Sequence, residues 1–302
     1  MNFSIIQDSR VGARATNQDR IGHWRTSDAL LMVVADGLGG HLYGEIAAQV
    51  ALDTLAILFR SEAKPRLADP GGFLRDGIER AHAAIRHHAL GAGLPDAPRT
   101  VIVACVVQDG TAYWSYVGDS RLYLVRKGRV VTRTRDHTRV QQLVDAGRIR
   151  EEALGSHPER NKLLRCLGGE LPPRSEPVAS ARLARDDVLL LCSDGLWGPL
   201  TQRQLAAPFV TKGIDRAIPE LVALAEMRAG PECDNVSVVA MAWGENASPD
   251  AIDQDTVPFH DLPTDVQDLG DAESAYMRMS DEDIERAIDD IKASLKKSSA
   301  RR

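Results

Sequence analysis

Four segments of this chain bring a strand-like run of apolar residues to a single aspartate. That repetition constrains the fold more than any other feature. "LLMVVADGLGGHLYGE" ends its apolar run at Asp36, followed by glycine and then His41. "DVLLLCSDGLWG" does the same at Asp194 and Gly195. "TAYWSYVGDSRLYLV" sets Asp119 between two alternating runs, and "ECDNVSVVAMAW" puts Asp234 just ahead of another strand. One Asp-Gly pair after an apolar run is an ordinary hairpin turn. Four strand ends delivering aspartates are better explained by a shared site.

The remaining pattern gives the architecture around those ends. Alternation opens the chain at "NFSIIQDS", followed by a polar turn and the run Leu30 to Ala35. Apolar residues at Ile46, Val50, Leu55 and Leu58 predict a helix from about Tyr43 to Phe59. The break "KPRLADPGG" separates it from a second helix, from about Phe73 to Leu90. Strands are then expected at Thr100 to Gln108, Thr111 to Val117, Leu122 to Arg126 and near Val130, with "QDG" and "RKG" as hairpin turns. A polar, partly helical insertion runs from about Arg135 to Glu159, and strands return at Asp187 to Cys192 and Val236 to Ala242. Strands in hairpin-linked blocks point to an α+β fold with mainly antiparallel sheets, not a doubly wound parallel one. The "GLGG" after Asp36 lacks the spacing of a dinucleotide loop.

From about Glu245 the composition changes. Residues 245 to 277 hold nine acidic residues and no lysine or arginine, a linker composition. A helix start is expected at Ser280, with Ile284, Ile288, Ile291 and Leu295 along one face. The reading is therefore one domain over 1–244, an acidic flexible linker over 245–279, and an amphipathic helix with a basic tail over 280–302.

A net charge of -6 and scattered basic residues argue against nucleic acid as a partner. The runs "ALLMVVA" and "VIVACVV" fall far short of the ~20 residues that cross a bilayer, so no membrane span is expected. No signal peptide is visible. Cys105, Cys166, Cys192 and Cys233 have neither zinc-ligand nor redox spacing and read as buried thiols of a cytoplasmic protein.

If Asp36, Asp119, Asp194 and Asp234 meet, with Asp19 from "RATNQD" beside them, their charges must be offset. Two carboxylates about 5 Å apart repel by roughly 3 kcal/mol at an effective dielectric of 20. An all-oxygen ligand set selects hard cations such as Mg²⁺ or Mn²⁺ over zinc. Two such ions can lower the pKa of a shared water toward neutrality. Gly37 leaves its backbone carbonyl approachable, and Arg14 carries paired donors that match phosphate oxygens.

The set "RATNQD", "VADGLGGH", "VGDSRLYL", "CSDGLW" and "DNVSVV", in this order, resembles the metal-dependent serine/threonine protein phosphatases (PPM family, type 2C) over about residues 1 to 244. The stretches "TRDHTRVQQLVDAG" and "HPERNKLLRCLGG" are similar to the flap region of its bacterial members. The resemblance implies a four-layer sandwich, two stacked mainly antiparallel β-sheets flanked by α-helices. It implies that Asp36 bridges two core Mn²⁺ or Mg²⁺ ions and that the Gly37 carbonyl binds one of them. Asp194 and Asp234 would complete the second ion's ligands, and Asp19 would lie near the first. Asp119 would hold a third, looser ion. Arg14 would grip the substrate phosphate, and His41 would act as the general acid. Substrates would be phosphorylated proteins, with a cognate Ser/Thr kinase as the opposing partner and a monomer as the expected state. A pseudophosphatase, or a regulatory phosphatase of the partner-switching kind, is the alternative; no matched carboxylate is replaced. His23, His82, His87, His88, His137 and His260 receive no function, Arg121 is read as an ion-pair partner of nearby acids, and Trp114 and Trp197 as core.

Overall fold

The structure, a computed structural model, describes residues 1–244 apart from 39–42, 95, 151–153, 155–156, 161 and 174. His41 and the whole segment 245–302, with its expected linker and helix, lie outside the described residues.

The described chain runs β1 (Phe3–Arg10), β2 (Asp19–Arg25), β3 (Ala29–Gly37), α1 (Gly44–Glu62), α2 (Pro70–Gly91), β4 (Thr100–Gln108), β5 (Thr111–Val117), β6 (Arg121–Arg126) and β7 (Arg129–Arg133). It continues through α3 (Arg139–Asp145), β8 (Ala179–Arg182), β9 (Val188–Cys192), α4 (Asp194–Trp197), α5 (Gln202–Ala206), α6 (Ile214–Ala229) and β10 (Val236–Trp243). Two five-stranded sheets result, one in the order β1-β10-β9-β6-β7 and the other β2-β3-β4-β5-β8. Every strand pairing is antiparallel.

The sheets stack face to face, with helices covering both outer surfaces, and the side-chain alternation shows why. On β3, Leu30, Met32 and Val34 enter the core between the sheets, while Leu31, Val33 and Ala35 pack under α1 and α2. On β10, Val239 and Met241 face the opposite sheet, while Val236, Val238, Ala240 and Ala242 meet α6 and its neighbours. A central strand of four layers is thus buried on both faces, so antiparallel strands here carry the continuous apolar runs usually seen in parallel sheets. Trp114 lies in the core between the sheets, as expected. Cys105 and Cys192 are fully buried and all four cysteines are free. Among the described residues no helix is long and apolar enough to cross a membrane.

Two strands were not anticipated. The expected polar turn after β1 contains β2, which pairs along β3, and the sheet ends at the short β8 beside β5. Both are edge strands. "DRIGHWR" and "ASAR" carry the charges and short length that protect exposed edges, and so lack an apolar run. The second helix begins earlier than expected. Asp69 accepts a hydrogen bond from the Gly71 amide at 3.0 Å, and Pro70 occupies the first turn, a position where its missing N–H costs nothing.

Candidate metal centre

The register of β2 against β3 sets Asp19 directly opposite Asp36. Like charges facing each other across a strand pair destabilise it, so the pairing calls for a compensating cation or a proton held between the two carboxyls. Gly37 continues β3 past Asp36, and its amide bonds the Gln18 carbonyl at 3.2 Å. A Cβ on Gly37 would lie 2.4 Å from the Gly44 backbone, and one on Gly44 would lie 2.9 Å from Gly37. The two glycines let the start of α1 close onto the end of β3. The Thr100 hydroxyl, from β4, bonds the Asp36 carbonyl at 2.7 Å.

The other acids arrive from the second sheet. Asp194 opens the single turn α4 after β9, and a Cβ on Gly195 would lie 2.1 Å from the Asn235 carbonyl. Asp234 precedes β10. Asn235 explains how the Arg14 loop stays beside it. Its side chain accepts from the Gln18 amide at 2.8 Å and donates to the carbonyls of Val11 at 2.8 Å and Thr16 at 3.0 Å. Asp119 lies in the β5–β6 turn, and the Trp197 indole donates to its carbonyl at 3.0 Å.

These positions perturb one another strongly. Burial, then Asp19, Asp194, Asp119 and Asp234, raises Asp36 well above the ordinary carboxylate range. Burial, then Asp194 and Asp136, does the same to Asp119. Asp194 is pushed up to about 7 by burial, Asp234 and Asp19, with Arg14 opposing. Asp19 is pushed up to about 6, chiefly by burial, while the hydroxyls of Ser237 and Ser193 oppose the shift. Ser193 donates to Asp19 at 2.8 Å, Ser193 accepts from the Ser237 amide at 3.0 Å, and the Ser237 and Ser9 hydroxyls meet at 2.8 Å. Of these partners the sequence reading named none. The only hint was the serine in "CSDG" and in "DNVS", beside the aspartates.

Arg14 takes an unexpected partner. Its Nε and Nη2 donate to the two oxygens of Asp234 at 2.8 and 2.7 Å. Both side chains stay about half exposed, so the pair is reachable from solvent. Among the described residues no three acidic, histidine or cysteine side chains form a finished metal shell. The reasons are visible: Asp234 is turned to Arg14 and Asp19 to Ser193. The donor set still fits a hard divalent ion, being all oxygen, mutually repelling and open at Asp36 and Asp194. A cation at Asp234 has to take an oxygen that Arg14 now holds.

Behind Asp119 lies a network with a structural role. Arg121 donates to both oxygens of Asp136 at 2.8 and 2.6 Å and to the Tyr123 hydroxyl at 2.9 Å. Its guanidinium stacks 3.4 Å from the centre of the Trp197 ring. Arg121 therefore pairs with an acid, as the sequence suggested. Trp197 serves as its platform and as the brace for Asp119.

The family profile described as Protein phosphatase 2C matches residues 6–227. The Mycobacterium tuberculosis serine/threonine protein phosphatase PstP is 36% identical over 234 residues, 75% of this chain and 42% of its own length. The chain thus spans about two-fifths of that relative. The Streptococcus agalactiae serine/threonine phosphatase superposes with a TM-score of 0.70 at 28% identity, covering 79% of this chain and 98% of that one. The PstP catalytic domain, solved in complex with 2 manganese ions, gives 0.66 at 30% identity over 80% of this chain and 97% of that one. The profile runs from β1 into α6 and takes in the segments that carry Arg14, Asp19, Asp36, Asp119 and Asp194, ending short of Asp234. The chain belongs to the protein phosphatase 2C family.

Proposed function

We propose that this protein hydrolyses phosphoserine and phosphothreonine esters on proteins with the help of Mn²⁺ or Mg²⁺. The observation that carries the reading is the facing pair Asp19 and Asp36, met by three further aspartates from the other strand ends. Its support from outside the chain is the likeness to PstP, whose catalytic domain holds 2 manganese ions. When bound, such ions supply an acidified water and draw charge from the phosphate.

The chain's own residues then divide the work. Asp36 would bridge two core ions beside the Gly37 carbonyl, Asp194 and Asp234 would complete one ligand set, and Asp19 would stand at the other. Asp119 would serve a third, looser ion shared with Asp194. Arg14, at the solvent side of Asp234, would turn its fork to the phosphate. His41, outside the described residues, would protonate the departing oxygen. A monomeric cytoplasmic enzyme opposing a Ser/Thr kinase fits these roles. Residues 245–302 would contribute nothing to the metal centre.

The deciding experiment is hydrolysis of para-nitrophenyl phosphate and of a phosphothreonine peptide. Turnover should require Mn²⁺ or Mg²⁺ and cease in EDTA. Activity undiminished by chelator would end the reading.

Arg14 supplies a second expectation. The same guanidinium serves Asp234 and would serve phosphate, so Arg14→Ala should move two affinities in opposite directions. The Michaelis constant for the ester should rise by roughly tenfold or more, the loss of a charge-assisted hydrogen bond. Manganese, measured by calorimetry, should bind more tightly because its competitor at Asp234 is gone. Weaker manganese binding would show that Arg14 supports the metal ligands instead of competing with them.

A further inference from the structure

We propose that His137 is a positioning residue for the metal centre, holding the turn that carries Asp119 and tying it to the segment 162–165. The proposal rests on the reading of Asp119 as a metal ligand.

Gly118, immediately before Asp119, has φ +113°, and a Cβ there would lie 2.2 Å from the Val101 side chain. Only glycine takes such a backbone readily. His137 bonds it on both sides: its Nδ1 accepts from the Gly118 amide at 3.0 Å, and its own amide donates to the Gly118 carbonyl at 2.9 Å. An amide hydrogen can only be received by a lone pair, so the ring proton must be on Nε2. Nε2 lies 3.1 Å from Glu176 Oε1, which makes that contact a donated bond. Arg165 donates to the same oxygen at 2.8 Å. Its 3.3 Å approach to Nε2 is then a contact between two donors that share Glu176. The ring is buried and lies parallel to Tyr116, 4.9 Å centre to centre. Burial and Arg165 lower its proton affinity, which leaves Nδ1 free to accept.

The other side of His137 reaches the insertion. Its carbonyl accepts from the Leu164 amide at 2.8 Å, and the Arg139 amide bonds the Lys162 carbonyl at 2.9 Å. Thr138 forms a bridge with Leu163. The backbone of residues 137–139 therefore carries that segment, while the imidazole stands between Asp119's turn and Glu176, which Arg165 of the same segment also engages. A histidine that only filled space would need neither the defined tautomer nor a ring nitrogen aimed at the Gly118 amide.

Two conservative variants separate these roles. In His137→Asn the side-chain oxygen can take the place of Nδ1 and keep the Gly118 bond. In His137→Gln the polar group reaches only toward the Nε2 position. Both lose the stacked ring, so their melting temperatures should fall alike. Hydrogen exchange at Gly118 should stay slow in His137→Asn and quicken by roughly tenfold or more in His137→Gln. Manganese-dependent turnover should be kept within about threefold in the first. In the second it should fall by about 10 to 100-fold, the usual cost of losing an outer-shell partner, with a higher manganese requirement and little change in substrate KM. Equal exchange in the two variants, or activity that merely tracks melting temperature, would overturn the proposal. A wild-type protein without metal-dependent turnover would defeat the phosphatase reading instead, while the exchange comparison would still decide the role of His137.

Discussion

Asp36→Asn is expected to lower metal-dependent ester hydrolysis by on the order of 10³ or more, while the protein stays folded and melts higher in chelator. The two effects share one cause. Asparagine keeps the shape and one oxygen but removes the charge that would anchor two cations, and loss of a single electrostatic contact in an active site costs about 10² to 10³. In the folded protein that charge is a liability. Asp36 is half-buried opposite Asp19 and within reach of Asp194, Asp119 and Asp234, each of which disfavours its ionised form. A pair of such charges about 5 Å apart is worth roughly 3 kcal/mol at an effective dielectric of 20, so neutralising the central one relieves strain. Turnover with Mn²⁺ and melting followed by circular dichroism in EDTA make the test. A variant that keeps a tenth of wild-type turnover would remove Asp36 from the centre of the mechanism, and one that melts lower in EDTA would refute the repulsion argument.

Manganese should raise the melting temperature by on the order of 10 °C near pH 7, with a much smaller gain near pH 4. Folding raises Asp19 from its ordinary 3.8 to about 6 and Asp194 to about 7, and holds Asp36 and Asp119 well above the ordinary carboxylate range. Below pH about 4 these groups are protonated in both states and cost nothing. As pH rises toward 7 the unfolded chain ionises freely while the folded carboxylates resist, so the unfolded state holds fewer protons and stability falls. Cations bound among the carboxylates reverse that loss. Saturating each of two sites at about 100 times its dissociation constant contributes roughly 2.7 kcal/mol per site. For a domain of this size each kcal/mol shifts the midpoint by about 2–4 °C. Scanning calorimetry across pH 4–8, with EDTA or with Mn²⁺, reads both effects. A manganese gain that is equal at pH 4 and pH 7 would mean that the ion binds elsewhere.

The strands most legible in the sequence are those the fold buries on both faces. β3, β4, β9 and β10 had to be apolar at nearly every position because another sheet lies on one side and helices on the other. β2 and β8 escaped notice because, at an edge, a strand carries no such demand, and "DRIGHWR" and "ASAR" lack even the alternation that marks the edge strand β1. The aspartates were legible for a related reason: each ends or precedes a buried strand at a turn, so a polar residue there stands out against its neighbours. Arg121 could be read as an ion-pair partner, since a buried guanidinium needs an acid, but nothing local named Asp136.

What the sequence determined by itself, then, was the antiparallel α+β class and the roster of acids at the strand ends, because both follow from local alternation and turn chemistry. Tertiary structure alone decided how those acids are held. Arg14 and Asp234 are 220 residues apart, Ser193 and Asp19 are 174 apart, and the tautomer of His137 depends on the amide of Gly118. Hydrogen bonds of this kind depend on distance and direction in space, and the order of residues along a chain specifies neither until the two sheets have closed on each other.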